Sequence, residues 1–401
     1  MILKTSQDPL WTRGFIFAIG ANFFLSMVFY LLMTTMAFYA VQQFNTSETI
    51  GGLTTGSFII GGLMGRIVTG KYLDFVGRRR TLLIALIGFV LTGLAYIVIP
   101  DVWLLILVRT LHGACFGTAS SALNASVMML LPPLRRGEGT GYFGLSTTLS
   151  AAVGPALAVF AIDNISFTAL FLLSAASGFF SLLLAIFLML PERALSDTER
   201  AGIHRWRFND IVDPGALPIA IINGIAGLAF ASILAFINSF AQAEGLSAGL
   251  FFVVYAGAMF LGRLTLGRVQ DYYGDNVVSY PTMISYVVSF VVLANASANW
   301  HIIVAAILAG LGFGTFMPMF QAIAITQAPD HRVAVTTSTF YIILDIGTGF
   351  GPVLAGVIVT WFGYSGMYLV MAAIMVCATI AYHFVHGHKR YVRRLHYKND
   401  A

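Results

Sequence analysis

Two ionisable side chains lie where ionisable side chains are costly. Arg109 falls inside one long apolar run and Asp345 inside another, and no other acid of the chain lies as deep as Asp345. If the run holding Asp345 begins near residue 334, the carboxylate is about 16 Å along the helix, in the middle of a bilayer. A charge at that depth costs roughly 3 kcal/mol or more, so each group needs a partner, a watery cavity or a task. A carboxylate there can carry a proton, and a guanidinium can meet a carboxylate or a substrate. His112 stands one helical turn beyond Arg109. It either joins that chemistry or sits as a neutral ring bonded to a carbonyl.

Other chemistries find little support. Gly65-x-x-x-x-Gly70-Lys71 has the outline of a nucleotide-binding loop, but Tyr72 stands where Ser or Thr must hold magnesium and no strand precedes it. Two cysteines, Cys115 and Cys377, both inside apolar runs, make neither a disulfide framework nor a tetrahedral zinc site by themselves. No cofactor or metal is expected. No nucleophile-and-base set or soluble catalytic domain is evident, so the chain is not read as an enzyme.

The elements that must position these residues follow from composition. Of 401 residues 58% are apolar and only 10% charged, against roughly 25% charged in ordinary soluble domains. Twelve stretches are long enough to cross the hydrocarbon as helices: near 14–40, 50–72, 81–99, 102–126, 139–161 and 166–190, then 216–241, 248–270, 277–297, 301–323, 334–360 and 366–386. The first run is too long for a signal-peptide core and is expected to remain as span 1.

The 22 Lys and Arg exceed the 17 Asp and Glu, for a net charge of +5. That balance suggests nucleic acid only until the charges are placed. Lys4, Arg13, Lys71, Arg78, Arg79, Arg80, Arg135, Arg136, Arg193, Arg200, Arg205, Arg207, Arg268, Arg332 and the tail from Lys389 to Lys398 all fall on one side of the twelve spans. The opposite loops contain no Lys or Arg. The positive-inside rule then puts both termini in the cytoplasm, and no nucleic-acid partner is needed. The polar stretch 191–214 reads as a cytoplasmic linker between a bundle at 1–190 and a second at 215–401 with its basic tail. Within the linker, Arg205, Trp206, Arg207 and Phe208 suit either a short amphipathic segment on the inner leaflet or a solvated connection.

An offset of 197 residues aligns the two halves without a gap. It carries Gly65-Arg66 onto Gly262-Arg263, Gly70 onto Gly267, Asp74 onto Asp271, Gly77 onto Gly274, Gly113 and Gly117 onto Gly310 and Gly314, and Gly154-Pro155 onto Gly351-Pro352. The chain is thus two six-helix halves of one orientation, the plan of transporters that rock about a midplane site. Under the same offset Arg109 meets Ala306 and Asp345 meets Thr148. Neither buried charge is required by the repeated scaffold.

Between spans 2 and 3 stands Gly70-Lys71-Tyr72-Leu73-Asp74-Phe75-Val76-Gly77-Arg78-Arg79-Arg80. The chain here resembles the major facilitator superfamily, whose corresponding loop carries G-x-x-x-D-R-x-G-R-R; Phe75 departs from the usual Arg. The resemblance implies an all-α integral membrane fold of twelve helices in two pseudo-symmetric bundles. It also implies a conformational latch at Gly70, Asp74, Gly77, Arg78 and Arg79, with Gly70 permitting close helix approach and Asp74 bracing the outward-open state. Topology alone is the alternative role for the arginines. The second copy keeps Asp271 and Gly274 but has Asp275-Asn276 in place of Arg78-Arg79, so the latch is expected to be asymmetric.

Span 4 reads Arg109-x-x-x-Gly113-x-x-x-Gly117, similar to the family's R-x-x-x-G-x-x-x-G element in proton-coupled members. Proton coupling is accordingly assigned to Asp345, Arg109 and His112. Span 5 carries Gly141, then Ser150-x-x-x-Gly154-Pro155-x-x-Ala158, resembling the antiporter signature with Ser150 and Ala158 in two glycine positions. Span 11 repeats it as Gly347-x-x-x-Gly351-Pro352. Small residues at this spacing let helices pack backbone to backbone and the prolines bend them, so packing alone is the competing account. In the family, spans 1, 4, 7 and 10 line the cavity, which nominates Asn22, Phe23, Met27, Tyr30, Asn223, Asn238 and Gln321 as lining, and Tyr341, on span 11, is taken with them. Span 1 lacks the acid that many drug exporters hold there.

The resemblance covers essentially the whole chain. It implies a monomeric secondary active transporter in a bacterial inner (plasma) membrane, with a small-molecule substrate, protons and the lipid bilayer as its partners. Proton-coupled antiport exporting a small organic molecule by alternating access is the leading expectation. A symporter or uniporter for a sugar or other metabolite is the alternative within transport, and a non-transporting membrane sensor or lipid-handling protein is the alternative of another class.

Overall fold

Hydroxyls and carboxylates at the ends of apolar runs set where the helices begin. The computed structural model describes residues 9–132, 136–190, 212–328 and 333–388. The first helix, α1 (Arg13–Met33), is capped by Thr12, whose side chain accepts from the Phe15 amide at 3.2 Å. Ser47 caps α3 (Glu48–Val76), Asp101 caps α5 (Val102–Leu130) by accepting from Trp103 and Leu104 at 2.9 and 3.0 Å, and Ser166 caps α7 (Phe167–Ile186). Each cap satisfies amides that the first turn of a helix leaves open, a need made sharper by lipid. Between these lie α2 (Met36–Phe44), α4 (Arg78–Ala95) with a 3₁₀ turn at Tyr96–Val98, and α6 (Arg136–Asn164).

The later elements are α8 (Leu217–Glu244), α9 (Ala248–Tyr273), α10 (Asp275–Ala294), α11 (Asn299–Leu311), α12 (Phe313–Gln327) and α13 (Val333–Tyr382), closed by a π-turn at His383–Gly387. Among the described residues every regular element is helical. Nine helical stretches there are long and apolar enough to cross a membrane, the last, Val335–Gly387, covering two expected spans. The expected spans 2 and 8 correspond to α3 and α9. Glycines and the basic residues near their ends (Arg66 and Lys71, Arg263 and Arg268) dilute their apolar character.

Four spans differ from a single straight helix. Span 1 is divided at Thr34 and Thr35, whose hydroxyls donate back to the carbonyls of Tyr30 and Leu31 at 3.1 and 2.9 Å, and α2 starts from the new direction. Span 10 is divided at Gly312 into α11 and α12. Spans 11 and 12 are joined within α13, interrupted at Gly363, where φ is 67°. That left-handed backbone suits glycine, and a side chain there would be strained.

The chain divides into two compact units. One comprises Met1–Trp206 with Leu234–Ser239 and Pro352–Thr360, the other Arg207–Ile233, Phe240–Gly351 and Trp361–Ala401. In the first unit a Cβ added to Gly113 would run into the Phe58 carbonyl, and one added to Gly117 into the Gly62 carbonyl. Gly61 and Gly65 meet the carbonyls of Thr110 and Ala114 in the same way. Helices α3 and α5 therefore touch backbone to backbone. In the second unit a Cβ on Gly310 would stand 2.6 Å from the Tyr255 carbonyl, and one on Gly314 2.6 Å from the Met259 side chain. Tyr255 and Met259 are the repeat equivalents of Phe58 and Gly62, so the 197-residue repeat of the sequence returns as a repeat of contacts.

Candidate functional site

Arg109 points into the packing of the first unit. It is fully buried, on the part of α5 that faces α3. Its Nε donates to the Thr54 carbonyl at 3.0 Å, its guanidinium carbon lies 4.5 Å from the Phe58 ring centre, and Nη2 is 3.9 Å from the Met33 sulfur. Among the described residues no carboxylate pairs with it, and Nη1 has no hydrogen-bond partner. Its charge is met by a carbonyl dipole and an aromatic face.

His112, one turn on, is also fully buried. Its Nδ1 shares a 2.7 Å hydrogen bond with the Tyr96 hydroxyl, and the rings of Phe89 and Phe58 pack against it at 4.2 and 5.4 Å between centres. The Tyr96 hydroxyl also interacts with the Arg109 side chain. Tyr96 thus joins two residues that sequence analysis paired only by their spacing. Tyr96, Thr54 and Phe58 were not legible as partners, because they lie on other helices and carry no motif.

Asp345 occupies a different setting. It is partly exposed, twelve residues beyond the start of α13. Tyr341 lies four residues before it on the same face, and its hydroxyl donates to Gln321 Oε1 on α12 at 3.1 Å. Thr348 Oγ1 reaches the Asp345 carbonyl at 3.2 Å. The second unit therefore brings together Asp345, Tyr341 and Gln321 in one polar stripe.

The remaining cavity candidates divide. Phe23 and Tyr30 are partly exposed. Asn22, Met27, Asn223 and Asn238 are buried. Asn22 donates to the hydroxyls of Ser146 and Thr147 on α6 at 2.8 and 2.9 Å, and Asn238 donates to the Thr34 carbonyl. These asparagines act as ties between helices. Asn223 is enclosed, and among the described residues neither end of its amide has a hydrogen-bond partner.

At the latch, Gly77 has φ 98° and turns α3 into α4. Asp74 accepts from Arg78 Nε at 2.7 Å, Arg78 also reaches the Ala125 carbonyl at 3.4 Å and the Met129 sulfur, and Arg79 donates to the Ile186 carbonyl at 3.0 Å. The close helix approach expected at Gly70 is not found: a Cβ there would meet nothing within 4 Å. The approach is made deeper in α3, at Gly61 and Gly65. In the second copy Gly274 has φ 93°, while the side chain of Asp271 lies outside the described residues.

At the packing motifs several small residues lie against neighbouring helices. A Cβ on Gly154 would stand 2.8 Å from the Tyr30 Cβ, so α6 presses on α1 beside Pro155. Ser150, in a family glycine position, places its hydroxyl 2.7 Å from the Phe23 carbonyl of α1. In the second unit Gly347 meets the Gly224 backbone and a Cβ on Gly351 would reach the Leu228 carbonyl at 2.5 Å. Pro352 lies inside α13. Gly141 falls on α6, its surroundings outside the described residues, as are Arg135, Arg332, the linker 191–211 and the tail from Lys389.

Two units of glycine-crossed apolar helices, with Arg109 and His112 buried in one and Asp345 half-buried in the other, have the build of a multi-pass membrane protein. The sequence model of the Major Facilitator Superfamily matches residues 18–248 and 216–395, and the chain belongs to that family. It is 23% identical to the MFS-type transporter YhhS of Escherichia coli (strain K12) over 380 residues, covering 90% of this chain and 89% of that one. It is 22% identical to the multidrug resistance protein MdtG of Dickeya zeae, over 91% and 92% of the two chains. Among solved structures it resembles the nucleoside transporter NupG, with a TM-score of 0.74 at 13% identity over 93% and 99% of the chains. A bacterial homolog of the human lysosomal transporter Spinster, in an inward-facing conformation, has a TM-score of 0.71 at 15% identity over 95% and 98%.

Proposed function

We propose that the chain is a proton-coupled antiporter that exports a small organic molecule by alternating access between a bundle at 1–190 and a bundle at 215–401. The observation that carries this reading is Asp345, a half-buried carboxylate at mid-helix on the face that also holds the Tyr341–Gln321 hydrogen bond. A carboxylate so placed can take a proton from one side and yield it to the other while a substrate occupies the same polar stripe. Export is supported by the helix motif at Ser150, Gly154 and Pro155, by Arg109, and by the name of the relative MdtG. The charge pattern supports a bacterial inner membrane with both termini in the cytoplasm, and the protein is taken to work as a monomer.

The test is proton-linked flux. Everted membrane vesicles carrying the protein, energised to an acid interior, are offered a panel of compounds and metabolites, and release of protons on substrate addition is followed with a pH-sensitive dye. Substrate-dependent proton release that Asp345→Asn abolishes is the expected result. Flux driven in the opposite sense would make the protein a symporter, and flux without proton movement a uniporter.

A further inference from the structure

The second copy of the latch motif has lost its arginines, and the structure contains something else in their place. Asp275, the repeat equivalent of Arg78, opens α10 directly after Gly274. Its Oδ2 lies 3.1 Å from His386 Nε2, and its Oδ1 accepts from Gln270 Nε2 on α9 at 2.7 Å. His386 sits in the π-turn that ends α13, and its side chain is only 3% exposed, against 11% for Asp275. Its other nitrogen, Nδ1, is 3.1 Å from Gln327 Nε2 at the end of α12. Parallel ties reinforce the pair. Asn276 Nδ2 donates to the Gly387 carbonyl at 2.7 Å, the Tyr382 hydroxyl donates to Asn276 Oδ1 at 3.0 Å, and the Tyr280 hydroxyl bonds His383 Nδ1 at 2.8 Å.

Where the first unit closes its turn with an acid and a base four residues apart, the second closes it by binding the π-turn at the end of α13. π-turns recur at functional sites because the extra residue re-aims side chains that a regular helix would point elsewhere. Gly387 fits that role: a Cβ there would collide with the Tyr280 hydroxyl.

We propose that Asp275 and His386 form a proton-responsive clasp that holds the π-turn after α13 against the start of α10. Through Gln327 the clasp sets how readily the inner end of this unit rearranges. Histidine changes charge between about pH 5 and 8. The neutral ring donates from Nε2 to Asp275 and accepts at Nδ1 from the Gln327 amide. The charged ring donates from both nitrogens, and Gln327 meets it by turning its amide oxygen inward. Both states are satisfied, but the charged one adds an ion pair to the hydrogen bond and tightens the clasp. Asp275 is the charged group that faces His386 from α10. Among the described residues α9 presents Gln270 and α12 Gln327, and the π-turn's own neighbours are Tyr382, His383 and His388. Asp213, near the start of α8, is bonded to Thr336 instead. Gln327 lies six residues beyond Gln321 on α12, so the clasp and the Asp345 stripe share one helix. The inference rests on the family assignment and holds whether transport is antiport or symport.

The test needs no substrate. In purified protein with Cys115→Ser and Cys377→Ser, a thiol is placed by Ser338→Cys, an exposed position on the Asp345 face. Its alkylation rate is compared between the parent and His386→Gln at pH 6 and at pH 8. Glutamine imitates the neutral ring, so the two should match at pH 8, while at pH 6 the variant should react roughly fivefold faster. Asp275→Asn should remove the same pH-specific difference, and Gly387→Ala, which forces the turn off Tyr280, should react fast at both pH values. Where His386→Gln does not accumulate folded, Asp275→Asn read against the parent decides. An identical ratio at both pH values, or a pH response that survives Asp275→Asn, overturns the proposal.

Discussion

Replacing Arg109 by methionine should leave the fold standing and stop transport. The terms can be set against each other from its surroundings. A cation at mid-membrane costs about 3 kcal/mol by insertion scales. Its bond to the Thr54 carbonyl at 3.0 Å returns about 1.5–3 kcal/mol. The Phe58 face at 4.5 Å returns up to about 2 kcal/mol in a desolvated site. Methionine removes cost and gain together and fills much of the same volume, so stability should change by no more than about 1 kcal/mol. Arg109→Ala opens a cavity as well and should cost about 2–5 kcal/mol. Thermal unfolding of the purified variants gives the stability, and proton-linked flux in vesicles gives the function. An Arg109→Met protein that transports normally would mean that the guanidinium is there only to tie α5 to α3. A Met variant as unstable as the Ala variant would show that the balance of terms is wrong.

Asp345→Asn should insert and fold normally yet lose uphill transport, while exchange of substrate down its own gradient continues; dye-reported proton release and counterflow distinguish the two. Asp74→Asn removes the acceptor of the 2.7 Å bond from Arg78 and should slow turnover while leaving substrate affinity within a few fold, as read by binding and flux on one preparation. Gly113→Ala should cost more than about 2 kcal/mol of stability, because a Cβ collides with the Phe58 carbonyl and α3 must part from α5, whereas Gly70→Ala, helical and with open space around it, should be neutral or stabilise by up to about 1 kcal/mol, as read by thermal unfolding.

Much of the architecture could be read in the sequence because lipid leaves few choices. A run of twenty apolar residues that lies in lipid has to be a helix, because its backbone groups find partners nowhere else. The glycines at 61, 65, 113 and 117 repeat every four residues because two backbones meet there, and that spacing survives in the letters. The site was legible only in part. Arg109 and Asp345 stand out because charge is rare in an apolar run, but their partners are ordinary residues from distant helices: Tyr96, Thr54 and Phe58 for one, Tyr341 and Gln321 for the other. Asn22 and Asn238, chosen because their helices line the cavity in the family, also tie helices together, and those ties were not legible because their partners lie on other segments. The clasp at Asp275 was missed for the opposite reason. It was read as a decayed motif, and its replacement partner lies 111 residues away on another helix.

The long helix α13 has a consequence for how the chain enters the membrane. Its 50 residues would measure about 75 Å if straight, more than twice the hydrocarbon thickness. The run must therefore fold back on itself, and the joint available to it is Gly363. Beside that joint stand Trp361 and Phe362, both largely exposed and without charge. No polar loop holds the two arms apart at the far surface. The last two spans should then be delivered into the bilayer together, as one hairpin with a greasy tip, once enough of Gly366–Tyr382 has been synthesised to form the returning arm.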